Sequence, residues 1–152
     1  MREAMSSMRR ESGWRAQGVA LESRLGQAYD EETFLRFLAT ERKRSERSGS
    51  PFLLLLVDLN EEPGVSVRIA PEVSDRLFSR LWLCVRETDI VGWYREERVA
   101  GALLTQITSG TVSDVCRTVS ERVADELRRG LPADVARRVQ HRVYQLGPKV
   151  KG

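Results

Sequence analysis

From Asp30 onward the apolar positions switch repeatedly between helical and strand spacing. "DEETFLRFLATERKRSERSGS" places Phe34, Leu35, Phe37 and Leu38 on one helical stripe. Its acidic start, basic end and stop at Gly49 follow the order that a helix dipole favours. The charged run that closes it is a solvated flank. "PFLLLLVDLN" is a continuous apolar run, too short for a membrane and bounded by turn residues. That pattern predicts a central strand buried on both faces, delivering Asp58 to its carboxyl end.

"NEEPGVSVRI" reads as a loop or irregular excursion around the turn signal Pro63-Gly64. Helical spacing returns through Val73, Leu77, Leu81, Cys84 and Val85. "DIVGWY" and "VAGALLTQ" then predict two strands of a hairpin. Its tip, Arg95, Glu96, Glu97 and Arg98, contains none of the Gly or Asn that tight turns favour. "TVSDVCRTVSERVADELRRG" predicts an amphipathic helix that Thr111 or Ser113 caps and Gly130 ends. Val112, Val115, Cys116, Val119, Val123 and Leu127 form its inner stripe. In "VARRVQHRVYQLG", Val135, Val139 and Val143 alternate with Arg138, Arg142 and Tyr144, a strand with one wet face.

The order helix, strand, helix, hairpin, helix, strand predicts a ferredoxin-like α+β domain, an antiparallel sheet with helices on one face. Residues 1–28 are polar and basic, with Trp14, Leu21 and Leu25 as sparse apolar points. They read as a tail and helical extension that packs on the domain or on a second copy, or as a linker. Residues 29–152 form the domain.

Composition narrows the class. With 41% hydrophobic and 31% charged residues, the chain is expected to be soluble and globular. The net charge is only +3 and acidic residues interrupt the basic ones, so no phosphate-binding stripe emerges and nucleic acid is not an expected partner. Cys84 and Cys116 lack CxxC spacing and fall on apolar faces of predicted helices, which fits a reducing compartment. His141 is the single histidine, so His-rich zinc sites and His-centred triads lack material; it is expected to pack along a strand. No segment has the length and hydropathy of a membrane span and the start lacks a secretory h-region, so a cytoplasmic location is expected.

Two stretches carry a family resemblance. "FLRFLATERKRSERSGSPFLLLLVDLN" is similar to the first helix and first strand of the GGDEF domain of diguanylate cyclases, ending where that family has its acidic DLD-type motif. "RETDIVGWYREERVAGALL" resembles the family's RxxD motif, its spacer of five residues (here Ile90 to Tyr94) and its signature hairpin. On that register the Gly-Gly-Asp/Glu-Glu-Phe signature falls on Arg95, Glu96, Glu97, Arg98 and Val99. The match runs from about Tyr29 to the C-terminus and implies a nucleotide-cyclase or palm-type sheet, mostly antiparallel and flanked by helices.

In active members of that family, two facing domains join two GTP molecules, with carboxylates holding divalent metals, usually magnesium. Asp58 and Glu97 stand at the two metal-carboxylate positions, so a weak magnesium site is one expectation. The rest of the machinery is altered. Arg95 and Glu96 replace the glycines that let the backbone approach phosphates, Arg98 replaces the second signature carboxylate, and "NEEPGVSV" lacks the guanine-contacting Asn-Asp pair. The resemblance thus implies a degenerate domain without a catalytic set and with no required cofactor.

Arg86 and Asp89 match the family's product-binding motif, the I-site, in which Arg takes phosphate or a guanine edge and Asp accepts from guanine N–H groups. The expected function is a non-catalytic module that binds cyclic di-GMP through Arg86 and Asp89, or that regulates by self-association or by holding a protein partner. Beside this stands a structural reading, with Arg86 on the helix dipole and Asp89 as a turn residue. Trp82, Trp93 and Tyr94 are either a stacking platform for guanine or packed core. Two other functions remain open: an atypical metal-dependent cyclase using Asp58 and Glu97, and a scaffold without nucleotide binding that uses the N-terminal extension and an exposed sheet edge.

Overall fold

A computed structural model describes residues 28–62, 65–105 and 112–147. Residues 1–27 of the 1–28 extension, the Pro63-Gly64 turn and the Thr111 cap lie outside the described residues.

Helix α1 (Glu31–Ser48) starts at Asp30, whose carboxylate accepts the Thr33 N–H at 2.9 Å. Gly49, at φ 78°, ends it in the left-handed conformation, its N–H on the Ser45 carbonyl at 2.8 Å. Strand β1 (Phe52–Glu62) buries every residue from Phe52 to Leu59. It continues past the expected boundary and pairs with a short strand, β2 (Val65–Ser66), through a bulge between Asn60 and Glu62. The stretch read as a loop is therefore partly sheet. Helix α2 (Pro71–Trp82) opens on proline, whose missing N–H costs nothing at that position. Strands β3 (Ile90–Arg95) and β4 (Val99–Leu104) form the hairpin, with the tip reduced to Glu96, Glu97 and Arg98. Helix α3 (Val112–Gly130), a single turn α4 (Ala133–Ala136) and strand β5 (Val139–Leu146) complete the domain.

The main sheet has the order β5-β1-β4-β3, and every neighbouring pair is antiparallel. Since β4 lies between β1 and β3, those two run parallel and α2 crosses between them, the ferredoxin-like connection. The helices do not share one face. Leu53, Leu55, Val57 and Leu59 pack with Leu77 and Leu81 of α2 and Val123 and Leu127 of α3. Leu54 and Leu56 face the other way, onto Phe34 and Leu38 of α1. A strand apolar on both faces leaves half its side chains wet unless both are covered, and each large one buried is worth roughly 1.5–3 kcal/mol. Cys84 lies just beyond the C-cap Leu83 rather than on the helix, and is buried. Burial raises its thiol pKa to about 11, so it stays protonated. His141 shares a hydrogen bond of 2.9 Å with Ser120 of α3, in keeping with a packed strand residue.

Candidate functional site

Arg86 and Asp89 occupy the turn between α2 and β3. Asp89 is buried, its side chain 1% exposed, and each of its carboxylate oxygens accepts from the backbone. Oδ2 takes the Arg86 N–H at 2.8 Å and Oδ1 the Thr105 N–H at 3.1 Å. The Asp89 N–H returns to the Arg86 carbonyl at 3.0 Å. One side chain thus closes the turn and ties it to the end of β4. A carboxylate buried this deeply is tolerable only because such donors replace its water. The Arg86 guanidinium lies 3.6 Å from Asp89, hydrogen-bonds the Thr105 carbonyl and remains 54% exposed. It stands beyond the end of α2 rather than in the last helical turn.

The aromatic residues do not gather into a platform. Trp82 and Trp93 join the core beneath α2 and α3, with Trp93 edge-on to Phe78 at 4.9 Å between ring centroids. Tyr94 packs on the α1 side, and the Arg95 guanidinium lies 5.2 Å from its ring centre. Neighbouring strand residues point to opposite faces, so Trp93 and Tyr94 cannot stack on one base.

At the other end of β3, the signature positions are held by contacts within the chain. The N–H groups of Glu31 and Glu96 are bound by each other's carboxylates at 3.0 and 2.7 Å, joining the hairpin tip to the start of α1. Arg95 also approaches Glu31 at 4.0 Å. Glu97 sits at φ 61°, a conformation unfavourable for a side chain with a Cβ. Its carboxylate accepts from Arg68 at 2.8 Å and its carbonyl from the Ile69 N–H at 2.7 Å. The hydrogen bond from Arg68 holds the Glu97 carboxyl below the usual carboxylate range. Arg98 reaches the Ser66 carbonyl at 3.4 Å. Val99, in the last signature position, is buried on the α1 side opposite Asp58.

Asp58 is buried and accepts the Ser66 hydroxyl, with Arg142 of β5 at 4.0 Å. With the Asn60 amide oriented to satisfy its neighbours, it donates to the same carboxylate at 3.2 Å. Asp58 and Glu97 thus face hydroxyl, amide and guanidinium donors of the chain itself, and no group of three or more His, Cys, Asp or Glu among the described residues could hold a metal ion.

Sequence reasoning missed Glu31, Ser66, Arg68 and Arg142. Arg142 had a signal, since it sits diagonally from Asp58 once β5 is paired with β1. Arg68 had none, because its partner Glu97 lies far along the chain, and Ser66 had none, because it sits in a stretch with the composition of a loop.

Among the described residues, no helix is long and apolar enough to cross a membrane. No protein-family model matches the chain, and no curated protein matches it. Solved structures do. A DGC protein from Thermotoga maritima is similar at TM-score 0.58 and 15% identity, over 80% of this chain and 82% of that one. The diguanylate cyclase SiaD of Pseudomonas aeruginosa, solved with its activator SiaC, matches at TM-score 0.54 and 22% identity, over 90% of this chain and 55% of that one. A microbial GGDEF domain solved in an interaction with cyclic di-GMP matches at TM-score 0.50 and 15% identity, over 84% and 78%. Together with the sheet order and the position of the hairpin, these likenesses give the chain the fold of a GGDEF domain.

Proposed function

We propose that this chain is a non-catalytic GGDEF-type signalling module of the cytoplasm that binds cyclic di-GMP at the turn between α2 and β3. The observation that carries the reading is the contrast between the two ends of β3. At one end a half-exposed Arg86 stands on a turn that buried Asp89 holds in place. At the other, the positions expected to hold metal and phosphate are engaged by the chain's own side chains. Arg86 is then the group that meets the ligand, its planar fork suited to phosphate or the Hoogsteen edge of guanine. Asp89, whose oxygens already accept two backbone N–H groups, acts mainly by positioning it. A solved GGDEF domain with cyclic di-GMP supports the choice of ligand.

Calorimetric titration with cyclic di-GMP tests this. Wild type should bind and Arg86→Ala should not; no heat and no thermal shift at near-millimolar ligand would overturn it. Incubation with GTP and magnesium followed by chromatography should leave GTP intact.

Protein association is a second reading, favoured by one observation. Strand β5 borders the sheet with no partner on its outer side among the described residues, and Tyr144 on it is exposed. Unprotected edges invite pairing, and SiaD was solved with a protein activator. Light scattering of the full chain, and of a form lacking residues 1–28, should report a dimer or partner complex that the deletion weakens.

A further inference from the structure

We infer that the segment Val65–Ile69 is an internal strap that occupies the space between the end of β1 and the hairpin tip, substituting the chain's own donors for a metal–nucleotide complex. The inference rests on the non-catalytic reading above and gives it a physical cause.

The observations converge on five consecutive residues. Val65 and Ser66 pair with Glu62 and Asn60, extending the sheet beyond the end of β5. The Ser66 hydroxyl donates to buried Asp58, and the Ser66 carbonyl accepts from Arg98 at 3.4 Å. The Val67 N–H binds the Leu59 carbonyl at 3.0 Å. Arg68 then pairs with Glu97 at 2.8 Å, and the Ile69 N–H takes the Glu97 carbonyl at 2.7 Å while Ile69 itself is buried. Successive residues of one short segment thus engage both carboxylates that the resemblance assigns to metal, as well as the arginine that replaces the third.

Two further features agree. Glu97 keeps an unfavourable left-handed backbone, which persists only where surrounding contacts over-determine it, and the strap binds its carbonyl and its carboxylate together. Asp58 is a buried carboxylate, and such a group must find donors. A divalent cation is one solution; Ser66, Asn60 and Arg142 are another, and they come without a free-ligand requirement.

Manganese, which reports binding by paramagnetic resonance, tests the inference independently of cyclic di-GMP. Wild type and Asp58→Asn should take up Mn(II) equally, with no site lost on substitution. A wild-type site that Asp58→Asn abolishes would overturn the strap. Arg68→Ala removes an exposed side chain and should leave the domain folded, yet amides of the hairpin tip should exchange about tenfold faster, with Arg68→Lys intermediate. Unchanged exchange at Glu97 and Arg98 would equally sink the idea. A chain that ignores manganese but fails to bind cyclic di-GMP would keep the strap and lose the receptor reading; the opposite outcome would do the reverse.

Discussion

Glu31 and Glu96 hold each other's backbone: the N–H of each donates to the carboxylate of the other, at 3.0 and 2.7 Å. Glu31 opens α1 and Glu96 belongs to the hairpin tip, so the exchange gives the helix a capping acceptor from a distant part of the chain. A negative side chain there also meets the positive end of the helix dipole. This explains why a carboxylate suits a position where the resemblance leads one to expect glycine.

Breaking either half should cost about 0.5–1.5 kcal/mol. Because each substitution leaves the partner bond in place, Glu31→Ala and Glu96→Ala should not add in the double variant if the two bonds reinforce each other. Denaturant unfolding of both single variants and the double variant measures the coupling. A strictly additive result would show two independent contacts.

Asp89 and Arg86 should separate stability from binding. Asp89→Ala leaves the N–H groups of Arg86 and Thr105 without their acceptor, which at about 1–3 kcal/mol each predicts a loss of about 2–6 kcal/mol. Arg86→Ala should change stability by less than about 1 kcal/mol while removing cyclic di-GMP binding. Thermal unfolding alongside calorimetry distinguishes the two. Equal destabilisation by both would mean that Arg86 is structural.

Gly92 sets the path of the chain into α1. Tyr29 bridges to β3, its N–H on the Val91 carbonyl at 3.1 Å and its carbonyl accepting the Trp93 N–H at 2.8 Å. A Cβ at position 92 would lie 2.6 Å from the Tyr29 carbonyl oxygen. Gly92→Ala should therefore cost about 1–3 kcal/mol and expose the Trp93 amide to exchange. Retained protection there would refute the close approach.

Asp30 predicts an acid sensitivity. The Thr33 hydrogen bonds hold its carboxyl below the usual range. A lowered folded value means that the charge stabilises above the unfolded value of about 3.9, and that this contribution is lost as pH falls through the lower folded value. Asp30→Asn keeps an acceptor and should flatten this dependence. Asp30→Ala should cost about 1 kcal/mol near neutrality. Unfolding midpoints measured between pH 2 and 7 would show both effects.

Much of this architecture could be read from spacing alone. The unbroken apolar run Phe52–Val57 implied a central strand, and the periodic valines of α3 implied its buried stripe. The same run also implied helices on both faces, a consequence that the one-faced expectation did not draw. The hairpin and the turn before it were legible because their contacts are local. The strap was not, since Arg68 meets Glu97 only after the hairpin has joined the sheet, and "EEPGVSV" carries the composition of a loop. The split of Trp93 and Tyr94 follows from strand alternation and was available from the start.

Strand β1 has a role wider than delivering Asp58. It is the common wall of two separate apolar compartments, one beneath α1 and one beneath α2 and α3. Neither compartment can lose that wall while the other survives, so loss of β1 opens both together. A substitution in β1 is therefore felt on the side opposite to the one it alters.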